Sequence, residues 1–125
     1  MNKVGIIIII SSLLILAGGA YFFTKQGKPV EIPQKETNSY EYFWGNGCPH
    51  CAKVAEFFDS SDKDEKVKLV KYEVWYDKTN AKIMQDRFNK CSPKPEGAMA
   101  VPFMVTPDGK CIMGDIPIIE LFNNL

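Results

Sequence analysis

Tyr40-Glu41-Tyr42-Phe43-Trp44-Gly45-Asn46-Gly47-Cys48-Pro49-His50-Cys51 is the stretch on which the reading of this chain turns. Tyr40 to Trp44 is short and aromatic and ends at a glycine pair, which predicts a buried strand. Pro49 suits the first position of a helix, where its missing N–H is not needed. Cys51, Val54, Ala55 and Phe58 then recur at i, i+3, i+4 and i+7, which predicts the buried face of that helix. The cysteines thus flank a strand-to-helix junction, the first at the amino end of the helix and the second one turn inside. Unpaired backbone N–H groups and the positive end of the helix dipole face Cys48, and both favour a thiolate there. Cys51 is expected to be the more enclosed thiol, placed to attack a mixed disulfide on Cys48. His50, the single histidine of the chain, adds a cation or hydrogen-bond donor beside that thiolate.

Downstream the pattern stays regular. Val67, Leu69, Tyr72 and Val74 predict a second strand. Asp77 or Thr79 caps a second helix with Ala81, Met84 and Phe88 inward. Phe103-Met104-Val105 and Cys111-Ile112-Met113 flank Thr106-Pro107-Asp108-Gly109, a hairpin turn with proline at its second position. Asp115 is expected to cap a last helix, with Pro117 in its first turn. The predicted order is β-α-β-α-β-β-α.

The amino-terminal part is of another kind. Val4 to Phe23 is an uncharged apolar run of about 20 residues, the length that spans a bilayer. A cleaved signal peptide ending near Gly18-Gly19-Ala20 is the alternative, but the run is longer than a usual signal core. Tyr21-Phe22-Phe23 suit a membrane interface. Residues 1–24 are therefore read as a transmembrane anchor or signal segment, 25–39 as a linker, and 40–125 as one small domain. The charge balance across the span gives no orientation. With 15 basic and 15 acidic residues the net charge is zero, which argues against a basic nucleic-acid binder. The 46% hydrophobic and 24% charged content is ordinary for a folded domain.

Other uses of the cysteine pair fit less well. A zinc site would need Cys91 and Cys111, which form no knuckle, so no metal is expected. Covalent haem attachment needs histidine directly after the second cysteine, where Ala52 stands. A purely structural bridge across so short a loop would stabilise little.

The region from Tyr40 to Leu125 resembles the thioredoxin superfamily at glutaredoxin-like size. Phe43-Trp44 ahead of Cys48-Pro49-His50-Cys51 carries the likeness, and Val101-Pro102, just before a strand, is its second mark. The resemblance implies an α/β, thioredoxin-like fold around a central mixed four-stranded sheet. It implies a cis peptide bond at Pro102, with Val101, Pro102 and Trp44 next to bound substrate, and Pro49 and His50 tuning the redox centre. The Pro-His pair is similar to that of extracytoplasmic disulfide oxidases. Two departures stand out. Many family members bury a carboxylate six positions before the first cysteine, where this chain has Tyr42; Glu41 should face the other side of the strand. Asp77 to Val101 has room for one helix only, so the large helical insertion of the periplasmic oxidases is absent.

The expected function is a membrane-tethered thiol–disulfide oxidoreductase outside the cytoplasm, acting on cysteines of exported proteins and recycled by a redox partner not identifiable from sequence. No cofactor beyond the Cys48–Cys51 couple is expected. A tethered reductase for cytochrome maturation or oxidative repair, a non-enzymatic adaptor, and a secreted form after signal cleavage are the alternatives. Cys91 and Cys111 either form a structural disulfide tying down the loop between them, or act as separate small hydrophobes.

Overall fold

The structure is a computed structural model and describes residues 2–24 and 31–125. The chain divides into two compact units, Met1–Val30 and Glu31–Leu125. In the first, helix α1 spans Lys3–Thr24, and its Lys3–Tyr21 portion is long and apolar enough to cross a membrane. Ser11 and Ser12 return their hydroxyls to the carbonyls of Ile8 and Ile9, so neither breaks the apolar run with an unpaired polar group.

The second unit is an α/β domain. Its elements are β1 (Tyr40–Trp44), α2 (Pro49–Ser61), β2 (Leu69–Glu73), α3 (Lys78–Lys90), β3 (Phe103–Val105), β4 (Cys111–Met113) and α4 (Asp115–Asn123). They form one mixed sheet in the order β2-β1-β3-β4. β1 pairs parallel with β2 and antiparallel with β3, and β3 pairs antiparallel with β4. The order matches the sequence expectation, with Asp64–Lys66 added as a short 3-10 turn.

Alternation along the strands builds a core on each sheet face. Phe43, Phe103 and Val105 pack with Ile83 and Met84 of α3. Tyr42 and Met104 pack with Val54 and Phe58 of α2 and with Ile118 and Phe122 of α4. Phe58 meets Phe122 edge-on with ring centroids 4.9 Å apart, which locks α2 to α4. Asp77 caps α3, accepting the N–H groups of Thr79 and Asn80.

Several expectations are corrected. The compact unit begins at Glu31, ahead of Tyr40. Ile32 packs on the α3-side core, the Pro33 carbonyl accepts from Arg87 at 2.8 Å, and Ser39 is buried. Composition read this stretch as linker because its anchors are backbone groups and one isolated apolar side chain. Ala55 is exposed, since α2 turns its Cys51-Val54-Phe58 edge to the sheet. Asp115 is the first residue of α4, not its cap; Gly114, at φ 102°, holds the cap position.

Cys91 and Cys111 are joined by a disulfide with Cα atoms 5.8 Å apart. Cys111 lies opposite Val105, and Val105 opposite Glu41, so the bridge sits at the sheet end away from Trp44 and Cys48. It ties the end of α3 to the edge strand β4 across a sequence separation of 20 residues. Closing such a loop contributes about 3 kcal/mol in the chain-entropy model. A Cys91→Ala/Cys111→Ala double variant is therefore expected to lose about 3 kcal/mol in urea unfolding, with Cys48 and Cys51 untouched. An unchanged midpoint would mean that the bridge adds nothing to stability.

Candidate redox site

The site begins with backbone geometry. The carbonyl of Gly45 accepts the Cys48 N–H at 3.0 Å, which closes the turn between β1 and α2. Gly47 takes φ 88°, a conformation that glycine adopts without strain. Gly45 matters for a different reason. A Cβ there would lie 2.4 Å from the indole of Trp75, so any side chain would displace that exposed ring.

Cys48 is the N-cap of α2, and its sulfur accepts the N–H of Cys51 at 3.2 Å. The dithiol chemistry is thus wired into the helix start: a free backbone N–H points at the first sulfur. Pro49 occupies the first helical turn. Cys48 and Cys51 are free thiols, in contrast to the bridged pair. Cys48 is as buried as Cys51, at 5% and 4% exposure, which corrects the expectation of a clearly more open first thiol. The cause is the segment facing it. The Val101–Pro102 peptide bond is cis, as is Ser92–Pro93, and the Val101 carbonyl oxygen lies 3.9 Å from Cys48 Sγ. A cleft of about 290 Å³ lined by Trp44, Gly47, Cys48 and Cys51 leads to both thiols. Trp44, half-buried at the end of β1, lines this cleft and a second cavity behind Cys51.

Electrostatics separate the groups around the dithiol. Burial, reinforced by the bond to Cys48, pushes the Cys51 thiol up to about 12, so Cys51 keeps its proton near neutral pH. Burial also raises Tyr42 well above the ordinary tyrosine range, with charge on Cys51 and Cys48 and a weak side-chain contact with Cys51 adding to the effect. Tyr42 stands on the Cys51 side of β1, and Glu41 on the α3 side, as the alternation requires.

His50 is placed differently from the expectation. Its side chain is 62% exposed and its Nδ1 lies 3.1 Å from Asp115 Oδ2. Lys53 Nζ reaches the same oxygen at 3.3 Å. Among the described residues no hydrogen bond joins His50 to Cys48. The imidazole, with Lys53, holds the Asp115 carboxyl at about 2 against the opposing effect of burial. Asp115 is therefore ionised across the physiological range. A depressed carboxyl stabilises the fold above the ordinary carboxylate range, and that contribution is lost progressively as pH falls from that range through about 2. Gly114, beside it, donates its N–H to the Pro102 carbonyl at 2.9 Å. Through Gly114 and Asp115, the start of α4 links the Pro102 segment to the dithiol helix.

Two further groups escaped the sequence. Glu73 accepts the N–H of Asn46 and Trp75 on Oε1, at 3.1 and 3.0 Å, and those of Tyr76 and Asp77 on Oε2, at 2.9 and 3.2 Å. Burial opposes its charge, but these four donors hold its carboxyl below the usual range. Nothing in the spacing of residues 46 and 73 signals that pairing. Glu41 and Arg87 form a bidentate pair inside the α3-side core. An arginine at a core-facing position of a predicted helix was a readable signal, since such a charge requires a buried partner.

Among the described residues no group of three or more His, Cys, Asp or Glu side chains is arranged to hold a metal ion. No protein-family model matches the chain, and no curated protein sequence matches it.

Proposed function

We propose that this chain is a thioredoxin-like, membrane-tethered thiol–disulfide oxidoreductase acting on cysteines of exported proteins. The observation that carries the reading is the asymmetric dithiol. Cys48 caps a helix with the Cys51 N–H on its sulfur, while Cys51, equally buried, lies one turn inside and keeps its proton. That is the division of labour that thiol–disulfide exchange needs: one sulfur to meet the substrate and one to resolve the adduct. The strand order, the cis Val101–Pro102 bond and the Val101 carbonyl beside Cys48 support the thioredoxin-like reading. Val101, Pro102 and Trp44 border the approach to the thiols and are assigned to substrate contact.

In the oxidising direction, a substrate thiolate attacks Cys48 of the Cys48–Cys51 disulfide and releases Cys51 as a thiolate, which takes up a proton. A second substrate thiolate then attacks the sulfur of the first. The substrate leaves as a disulfide, and both site cysteines are left as thiols, a two-electron exchange. The Cys91–Cys111 bridge in the same domain supports an oxidising compartment and hence an extracytoplasmic domain.

The test uses the full chain in detergent micelles, oxidised, mixed with a reduced, unfolded cysteine-containing protein. Substrate disulfides are expected to form as Cys48 and Cys51 are reduced; exchange no faster than in the chain's absence would leave a non-enzymatic adaptor. The reduction potential sets the direction. A value near about −120 mV fits an oxidase and one near about −270 mV a reductase. Sidedness is read separately, with a membrane-impermeant thiol reagent on mildly reduced intact cells. Labelling of Cys48 only after lysis would place the domain inside.

A further inference from the structure

The cavity behind Cys51 holds a group that the exchange chemistry has not yet used. It measures about 410 Å³ and is lined by Tyr42, Trp44, Cys51, Phe58, Lys71 and Glu73 among others. It reaches solvent beside Lys71, whose side chain is half exposed and paired with Asp64. Tyr42 itself is 4% exposed, and its hydroxyl is the buried side-chain polar atom without a hydrogen-bond partner among the described residues. Buried polar atoms almost always have partners, and an unpaired one is a standing penalty on the fold. A phenylalanine would fill the same space among Val54, Phe58 and Met104 without that penalty. A hydroxyl kept at this cost, beside a reactive sulfur, calls for a state in which it is paired.

We propose that Tyr42 is the side-chain hydrogen-bond donor to Cys51 when that sulfur becomes a thiolate. The inference rests on the oxidoreductase reading and adds the group that makes its buried thiol usable. In the resolving step the substrate is held on Cys48 by a mixed disulfide. Cys51 gives its proton to solvent through the cavity, and the electron pair on its sulfur attacks Cys48 Sγ. The bond from Cys48 to the substrate sulfur breaks, and the substrate leaves as a thiolate that takes a proton from solvent. Cys51 has been oxidised, the substrate sulfur reduced, and Cys48 left at the same oxidation level in its new disulfide. Tyr42 stays neutral throughout, because burial holds its own proton in place. Its Oη–H turns to the Cys51 sulfur during the interval in which that sulfur is charged. The backbone N–H groups of Gly45 and Cys51 already favour charge on that sulfur, and the charged side chains at this wall add no donor: Lys71 is held by Asp64, and Glu73 accepts from four backbone N–H groups. On the helix side, His50 and Lys53 are turned to Asp115.

The variant is Tyr42→Phe, which removes one oxygen and keeps the ring. Single-turnover mixing with a small-molecule disulfide separates adduct formation on Cys48 from resolution by Cys51. Adduct formation is expected to stay within about twofold and resolution to slow by about 10- to 100-fold, the scale of one hydrogen bond to a charged group. In a Cys48→Ser background, iodoacetamide should alkylate Cys51 about tenfold more slowly once Tyr42 is Phe. Unfolding of Tyr42→Phe should occur at the wild-type midpoint or above it, because no bond is lost in the dithiol state. Wild-type rates in both assays would overturn the proposal, and so would a lowered midpoint, which would mean that the hydroxyl is already paired in the resting fold. If the wild type forms no adduct on Cys48, the oxidoreductase reading fails, and the alkylation comparison still decides whether Tyr42 serves Cys51.

Discussion

Cys51→Ser is expected to accumulate as a mixed disulfide through Cys48, with release of substrate slowed at least about a thousandfold. In the proposed mechanism the resolving sulfur is that of Cys51, three residues on in the same helix, whose own N–H already touches Cys48 Sγ at 3.2 Å. Well-oriented intramolecular attack corresponds to effective concentrations of about 10⁵ M or more, which millimolar external thiol cannot replace. Cys48→Ser should give no adduct and no turnover, because the remaining thiol lies one turn inside the helix and holds its proton up to about 12. The two variants therefore differ in kind: one traps substrate and the other never meets it. Non-reducing electrophoresis after incubation with a scrambled, disulfide-containing substrate, whose disulfide the Cys48 thiolate can attack, reads both. Equal adduct yields from the two variants would mean that the cysteines are interchangeable and that the asymmetry of the site has no chemical consequence.

Arg87→Met is expected to destabilise the domain by about 3–5 kcal/mol, the usual cost of stranding one partner of a buried ion pair. Arg87 and Glu41 have side-chain exposures of 7% and 2%, and the guanidinium meets the carboxylate through Nε at 2.8 Å and Nη2 at 3.1 Å. Nη2 also donates to the Pro33 carbonyl at 2.8 Å. Methionine keeps the bulk of the stem and removes every one of these donors, leaving a carboxylate in an apolar core. The companion variant Glu41→Leu/Arg87→Met should recover most of the loss, since replacing both charges by apolar groups is often close to neutral. Urea unfolding of the single and double variants measures this directly. A single-variant loss below about 1 kcal/mol would mean that water reaches Glu41 and solvates it.

The elements that carry the site were legible because they are local. Tyr40–Trp44 was readable from its aromatic run, α2 from Pro49 and the three-four spacing of its apolar residues, and the Asp77 cap from a short side chain ahead of a helical pattern. The hairpin was marked by its proline and glycine, and Gly109 does donate to the Thr106 carbonyl at 2.9 Å. What escaped is non-local. His50 meets Asp115 across 65 residues and Arg87 meets Glu41 across 46, and a polar side chain facing a distant partner leaves no periodicity behind it. Asp115 is instructive. An aspartate at a helix start is usually explained by capping, and here tertiary pairing has taken the same carboxylate for His50 and Lys53. Residues 31–39 were missed for a related reason, since their attachment runs through carbonyls that every sequence has.

The Glu73 carboxylate gives the site a shared clock. Its two oxygens stitch the loop ahead of Cys48 to the turn that starts α3, through amides of residues 46 and 75–77. Asn46 and Trp75 share Oε1, so opening of either loop disturbs an acceptor that the other uses. In Glu73→Gln, the amides of both loops should therefore exchange faster in deuterated solvent than in the wild type. Because the Trp75 indole also lies over Gly45, any rearrangement that a substrate imposes on the rim of the dithiol arrives at Trp75 in the same motion.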